Sequence, residues 1–402
     1  MSWKTIRADE FCESVRDGTH DTPKPNETGY KLVTGKHVKN GRIDPSDAYY
    51  ISEEDYEKIN ERSLVEQWDV LMSMIGTVGE VAVVKDHPNY AIKNVALFKC
   101  GGSELKGKWL AYYLRSSDAQ GHMSGNQKGS SQQFLSLNQL RSLPIPITDE
   151  RYMQRVIDIL SAYDDLIENN QKQIKLLEEA AQRLYKEWFV DLRFPDYETT
   201  PIVDGVPEGW RETCMDDICD SIGGGTPSTK SEEYYRDGQI KWVTPTDITR
   251  KSGLILLDTE KKITEEGLHN SSAKMVPPYT ILMTSRASVG FFGLCEYEVC
   301  TNQGFISCIP HEESIRFYLL YNLMNRVDEI RAKASGSTFL EISKKSFRGL
   351  KIIVPEAQIL TQFNNIVRPM IRQMEILTKT IAELREARDR LLPKLMSGEI
   401  EV

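Results

Sequence analysis

The sequence predicts two tandem copies of a similar α/β unit, each closed by a long helix. Three observations carry this. Leu71-Met72-Ser73-Met74-Ile75-Gly76-Thr77-Val78-Gly79 is echoed 211 residues later by Leu282-Met283-Thr284-Ser285-Arg286-Ala287-Ser288-Val289-Gly290. Ile174-Lys175-Leu176-Leu177-Glu178-Glu179-Ala180 is echoed 207 residues later by Ile381-Ala382-Glu383-Leu384-Arg385-Glu386-Ala387. A heptad pattern follows each half at matching places. A period near half of 402 residues far exceeds the roughly 20–50-residue unit of a solenoid. It marks duplication of a whole domain, with two similar domains expected about a pseudo-two-fold axis.

The elements follow in order. Residues 1–148 form a first mixed domain, with strands expected over 70–74, 81–84 and 95–98, bounded by Gly or charged turns. Residues 109–116 read as a helix. The prolines of Leu143-Pro144-Ile145-Pro146-Ile147 fix an extended exit. Residues 149–192 form the first long helix. Its seam Val156, Leu160, Tyr163, Ile167, Asn170, Ile174, Leu177, Ala181, Leu184 and Trp188 alternates steps of four and three. About 40 residues span about 60 Å. Asn170 is a polar seam residue of the kind that fixes register.

Residues 193–209 are a Pro/Gly-rich linker. Residues 210–356 form the second domain, with strands expected over 240–243, 281–284, 305–309 and 351–354 and one helix over 314–334. Residues 357–402 form the second long helix and a tail. Its seam is Phe363, Val367, Met370, Met374, Leu377, Ile381, Leu384, Arg388, Leu391 and Leu395, so the two seams match for pairing. Pro369 is expected to kink this helix or mark its effective start, and Pro393 to bend it again.

A net charge of −9 argues mildly against a chain that coats nucleic acid unaided, without excluding locally basic faces. No run approaches the roughly 18 apolar residues of a membrane helix, and the N-terminus lacks a signal-peptide pattern, so a cytoplasmic protein is expected. Seven scattered cysteines and distant histidines give no zinc-ligand spacing. Reduced core or strand thiols are the expectation, with no metal site.

Catalytic signatures are missing. A base-amine methyltransferase needs an Asn/Asp-Pro-Pro-aromatic loop; Val276-Pro277-Pro278-Tyr279 lacks the acceptor and reads as a turn. Gly223-Gly224-Gly225 lacks the strand–helix setting of a nucleotide fingerprint, and no Gly-x-Ser-x-Gly elbow occurs.

Several strings resemble the specificity (S) subunit of type I restriction-modification systems. They are Asp17-Gly18-Thr19-His20-Asp21-Thr22-Pro23-Lys24-Pro25, Gly224-Gly225-Thr226-Pro227-Ser228, and Gly238-Gln239-Ile240-Lys241-Trp242-Val243-Thr244-Pro245-Thr246-Asp247-Ile248. Leu184-Tyr185-Lys186-Glu187-Trp188-Phe189-Val190 closes the first helix, and Leu391-Leu392-Pro393-Lys394-Leu395-Met396-Ser397-Gly398-Glu399-Ile400 the second. Together they span essentially the whole chain in the family's order; Pro369 and the acidic charge depart from it. The resemblance implies two α/β target recognition domains, each followed by a long helix, the helices packing antiparallel as a spacer. It implies a chain that is not itself an enzyme. Each domain would read half of a split site in double-stranded DNA. The helices would dock two methyltransferase (M) subunits, with motor and nuclease (R) subunits joining for restriction. S-adenosylmethionine would be bound by the M subunit, with no cofactor on this chain. The helix–helix spacer would rest on Ile167, Asn170, Ile174, Leu177, Leu184, Met374, Leu377, Ile381, Leu384 and Leu391. The alternatives are a specificity subunit of a related type II-like system, or a coiled-coil scaffold or regulator.

The residues agree with DNA contact. Short hydroxyls and Gly-rich turns suit phosphates, and Arg, Lys, Asn and Gln at loop tips suit base edges. In the first half these are Thr19, His20, Thr22 and Lys24, with Asn126, Gln127, Lys128 and Gln132. In the second half they are Thr226, Ser228 and Lys230; Arg286 and Ser288; Asn302 and Gln303; and Lys333, Ser335 and Ser337. Asp21 and Asp247 read as turn residues rather than cytosine acceptors. Acidic residues on the first helix, Glu178 and Glu179 among them, would repel DNA and are expected to face protein partners.

Overall fold

The computed structural model describes residues 3–76, 78–124, 134–251, 253–336 and 339–402. The chain forms two compact units. The first joins Met1–Ile167 to Glu383–Val402, and the second is Glu168–Ala382.

In the first unit, a four-stranded antiparallel sheet runs in the order Ser14–Asp17, Val95–Lys99, Val70–Ser73, Val81–Val83. Its central strands are buried on both faces. Alternate side chains serve different layers, as the two-residue period requires. Val70, Met72, Ala96 and Phe98 face a core with Trp109 and Leu110, while Leu71, Val95 and Leu97 face a smaller core with Val33 and Val38. That smaller core is bounded by a second sheet, in which Tyr30–Val33 pairs antiparallel with Tyr50–Ile51 and parallel with Tyr90–Ile92. Lys4–Arg7 pairs with Pro144–Ile147, so the proline-fixed exit is a strand. The helix carrying Trp109 starts earlier than expected, at Glu104, because Ser103 caps it by accepting from Lys106 N–H at 3.3 Å.

The second unit repeats this plan. The order is Cys219–Gly223, Phe305–Pro310, Ile281–Thr284, Phe292–Gly293. Ile281, Met283, Ile306 and Cys308 face the main core; Leu282 and Phe305 face the smaller one. Ile240–Val243 pairs antiparallel with Lys262–Ile263 and parallel with Cys300–Thr301, and Arg211–Cys214 pairs with Lys351–Val354. The cysteines are unpaired, and all but Cys214 are buried. Cys12 with Cys100 and Cys219 with Cys308 are neighbouring thiols, one pair in each unit; hydrogen bonding and burial push the Cys100 and Cys308 thiols up.

One expected helix is two. After a 3₁₀ turn at Glu313–Ile315, the chain forms Arg316–Asn325 and Val327–Ala332. Arg326 breaks the run by leaving helical dihedrals, with φ −108° and ψ 21°. The linker contains a small hairpin, Ile202–Val203 with Val206–Pro207, and buries Phe194.

The first long helix is Glu150–Tyr185, continued by a π-helical turn at Lys186–Val190. The second is Ala357–Ser397. The expectations for its prolines are corrected: the helix begins twelve residues before Pro369 and continues through both Pro369 and Pro393. Pro369 is exposed, so the carbonyl that loses its partner there is open to water.

Every residue of both heptad seams is buried or half-buried. Within the first unit the helices run antiparallel: Tyr152 donates to Leu395 O at 3.0 Å, and Asp164 accepts from Arg388 at 2.5 Å. The same holds in the second unit, where Trp188 near the end of one helix meets Phe363 near the start of the other, rings 5.9 Å apart. The apolar stripe is wider than the seam, because each helix also packs on a sheet core. Tyr152, Met153, Ile157, Leu392 and Met396 do so in the first unit, and Tyr185, Ile359, Leu360 and Ile371 in the second.

Arg388, the charged exception on the second seam, is explained by Asp164. That carboxylate also accepts from Tyr112 (2.9 Å) and Arg115 (3.2 Å). Burial alone would raise it; Arg115 and Arg388 overcome this and hold it below the usual carboxylate range. Glu178 corrects the expectation for the acidic face. It accepts from Leu254 N–H at 2.7 Å in its own unit, and burial raises its carboxyl. Its side chain is occupied within the chain rather than offered to a partner.

Candidate nucleic-acid interface

In the first unit, the strand Ser14–Asp17 ends in Gly18-Thr19-His20. A Cβ at Gly18 would lie 2.3 Å from Ile92 O, so only glycine allows this approach. Thr19 N–H then donates to Ile92 O at 3.0 Å. His20 is exposed, with Nδ1 2.8 Å from Asn94 Oδ1 and Nε2 3.0 Å from Asp17 Oδ2. The other oxygen of the buried Asp17 accepts from Arg62. Lys93 donates to Thr22 Oγ1. Thr19, His20 and Thr22 therefore gather with Arg62, Lys93 and Asn94, three residues that sequence reasoning missed. The positive φ of Asn94 (53°) marks the tight Lys93-Asn94 turn between strands, a signal available in the sequence. Lys24 is exposed outside this cluster. Asp21 sits in a turn, its N–H donating to Thr19 Oγ1 at 3.1 Å. Asn126, Gln127, Lys128 and Gln132 lie outside the described residues, as does Ser337.

In the second unit the structure links four candidate loops in series. Gly225 N–H donates to Thr301 O (2.9 Å), joining the Gly-Thr-Pro loop to Thr301–Gly304. Ser285 N–H donates to Gly304 O (2.7 Å), joining that loop to the turn of Arg286 and Ser288. Ile342 N–H donates to Ser285 O (3.0 Å), and Ser335 and Glu341 exchange both backbone bonds at 3.0 Å. Arg286 pairs with Glu341 at 3.6 Å and lies over the Phe339 ring.

Ser228, Lys230, Arg286, Ser288, Gln303, Lys333 and Ser335 are exposed. Thr226 and Asn302 are half-buried, and the Asn302 amide oxygen is taken by Gly304 N–H at 2.9 Å. Asp247 is a helix cap, accepting from Thr244 N–H and Oγ1 at 2.7 Å each.

Beneath this rim lies a groove of about 630 Å³. Its walls are the strand Cys219–Gly223 and the short helix Lys344–Arg348, and Lys274, Lys344, Arg348 and Gln303 line it. Sequence reasoning missed its three cations. For two of them, Lys344 and Arg348, the string Ser343-Lys344-Lys345-Ser346-Phe347-Arg348 carried the signal, as a Ser-capped turn with three bases in five residues.

The sequence profile described as "type I restriction modification DNA specificity domain" matches twice, over residues 1–179 and 207–386. The chain belongs to that family. The type I restriction enzyme MjaIX specificity subunit of Methanocaldococcus jannaschii is 32% identical over 188 residues, which is 44% of this chain and 43% of that protein. The putative MjaX specificity subunit of the same organism is 22% identical and covers 100% of this chain and 94% of its own length. The HindI specificity subunit of Haemophilus influenzae is 24% identical over 84% of this chain and 88% of its own. A crystal structure of the S subunit of a type I restriction-modification system from M. genitalium shares the fold, with TM-score 0.57 and 18% identity over 98% of this chain and 96% of that one. The relatives are named specificity subunits, so the expectation that this chain is not itself the enzyme holds. No helix among the described residues is long and apolar enough to cross a membrane.

Proposed function

We propose that this chain selects the DNA site for a cytoplasmic type I restriction-modification complex and does no chemistry itself. Each recognition domain reads one half of a split duplex site through the loops gathered above. The paired helices set the interval between the halves and dock two methyltransferase subunits; motor and nuclease subunits join for restriction. S-adenosylmethionine belongs to the methyltransferase partner. The observation that carries this reading is the double family match, which falls on two halves with one strand order.

Strand-resolved sequencing of modified bases tests it, in a host expressing the methyltransferase partner with and without this chain. A split motif methylated only in its presence is expected. Absence of chain-dependent methylation, with both proteins folded and associated, overturns the reading in favour of a scaffold.

A further inference from the structure

The groove in the second unit has an unbalanced set of charges. Its acidic residues are engaged elsewhere: Asp220 pairs with His311 at 3.3 Å and Glu341 with Arg286 at 3.6 Å. Arg348 is also engaged. It donates to Ser221 Oγ at 2.7 Å and Ser221 O at 3.2 Å, and pairs with Asp216 at 3.2 Å. That leaves Lys274 and Lys344. Among the described residues no hydrogen bond or ion pair occupies either ammonium.

The groove floor is bare backbone at Gly223 and Gly224. A Cβ at Gly224 would lie 2.0 Å from Asn302 O, so this floor has to be glycine. A Cβ at Gly223 would sit 3.3 Å from the Lys344 ammonium, which places that cation directly over the floor.

The first unit supplies the contrast. Its equivalent short helix, Leu137–Arg141, follows the cap Ser136, and Arg141 donates to Val15 O at 3.2 Å as Arg348 does to Ser221 O. The arginine is thus a shared structural tie. The residue after the cap differs: Leu137 packs on the core where Lys344 faces the groove.

We infer that this groove receives the sugar-phosphate backbone of duplex DNA, with Lys274 and Lys344 as phosphate contacts, the second at a place where the first recognition domain carries Leu137. One unpaired ammonium group over the Gly223-Gly224 backbone and a second in the lining suit a polyanion, and Gln303 at the wall is a side chain that reads base edges. The inference rests on the DNA-recognition reading and deepens it: this groove holds the backbone independently of sequence.

The test uses the complex of the full chain with its methyltransferase partner. It measures affinity against salt for two duplexes, one bearing the motif found by methylation mapping and one scrambled. For Lys274→Ala/Lys344→Ala, affinity should fall by the same factor on both duplexes. The slope of log affinity against log salt should drop by about 2. The methylated motif should stay the same. Lys274→Arg/Lys344→Arg should restore the slope, and Lys351→Ala, on a strand outside the groove, should leave it unchanged.

An unchanged slope in the folded double-alanine variant overturns the inference. So does a loss confined to the cognate duplex, which would mean base reading. Weakened association with the methyltransferase at an unchanged slope would assign the groove to an acidic protein segment instead. A wild-type complex that binds neither duplex would overturn the DNA-recognition reading itself.

Discussion

At the tip of the hairpin in the first unit, Ile75 bridges Phe134, and the two are 37% and 40% exposed. At the same place in the second unit, Arg286 bridges Glu341, and both are charged and exposed or half-buried. The backbone around them is shared: Leu135 N–H donates to Met74 O at 3.2 Å in one, and Ile342 N–H to Ser285 O at 3.0 Å in the other. The short capped helix repeats the lesson, with Leu137 replaced by Lys344. Sheet order, strand register and caps are held in common because buried residues enforce them. Loop tips carry no such constraint, so the two halves diverge there in charge and shape.

The largest test separates the two units by their dependence on the chain's last residues. Removing 391–402 takes away Leu392, Leu395 and Met396, each at most 5% exposed, from the first core only. At about 2–5 kcal/mol per such side chain, the first unit should lose its cooperative unfolding. Hydrogen exchange resolved by residue should show the second unit still protected.

Core truncations come next. Trp109→Ala in the first unit and Phe363→Ala in the second remove side chains that are fully buried. Each should cost about 3–5 kcal/mol. Denaturant unfolding followed separately in each unit should place each loss in its own half.

Asp164→Asn probes an ion-pair device of the first unit that is not repeated on the seam among the described residues of the second. It should cost about 1–3 kcal/mol at neutral pH, because Arg388 and Arg115 lose a charged partner. A carboxyl held low in the fold stabilises above its unfolded pKa, and that stability disappears as pH falls through the lowered folded value. The gap between variant and wild type should therefore close on acidification, measured as unfolding free energy against pH.

The smallest effect on stability belongs to Lys344→Leu/Lys345→Asn, which copies the first unit's residues into the second. Stability should stay within about 0.5 kcal/mol, read from thermal unfolding of the purified chain.

The sequence disclosed the frame more readily than the surface. The repeated apolar strings marked the central strands 281–284 and 70–73 because those strands are buried on both faces. Ser14–Asp17 and Tyr30–Val33 escaped, since charged residues interrupt the β pattern and their partners are distant in sequence. Pro369 misled because a proline on an exposed helix face loses only one bond that water replaces. Among candidate contacts, strings of Gly, Asn and Gln drew attention to loop tips. Lys274 takes its place through pairings no local string contains, whereas Lys93 sits in a local turn and Lys344 in a Ser-capped string.

The first unit also bears on the order in which the chain matures. Tyr152 reaches carbonyls 243 and 248 residues further on, at Leu395 and Ile400. Synthesis at about 5–20 residues per second puts roughly 10–50 s between the two ends of that contact. The second unit is one continuous stretch, 168–382, and has all its core before the last helical turns leave the ribosome. The half made first is therefore the half completed last, and it waits on the ribosome with the Leu392, Leu395 and Met396 side of its core open to water.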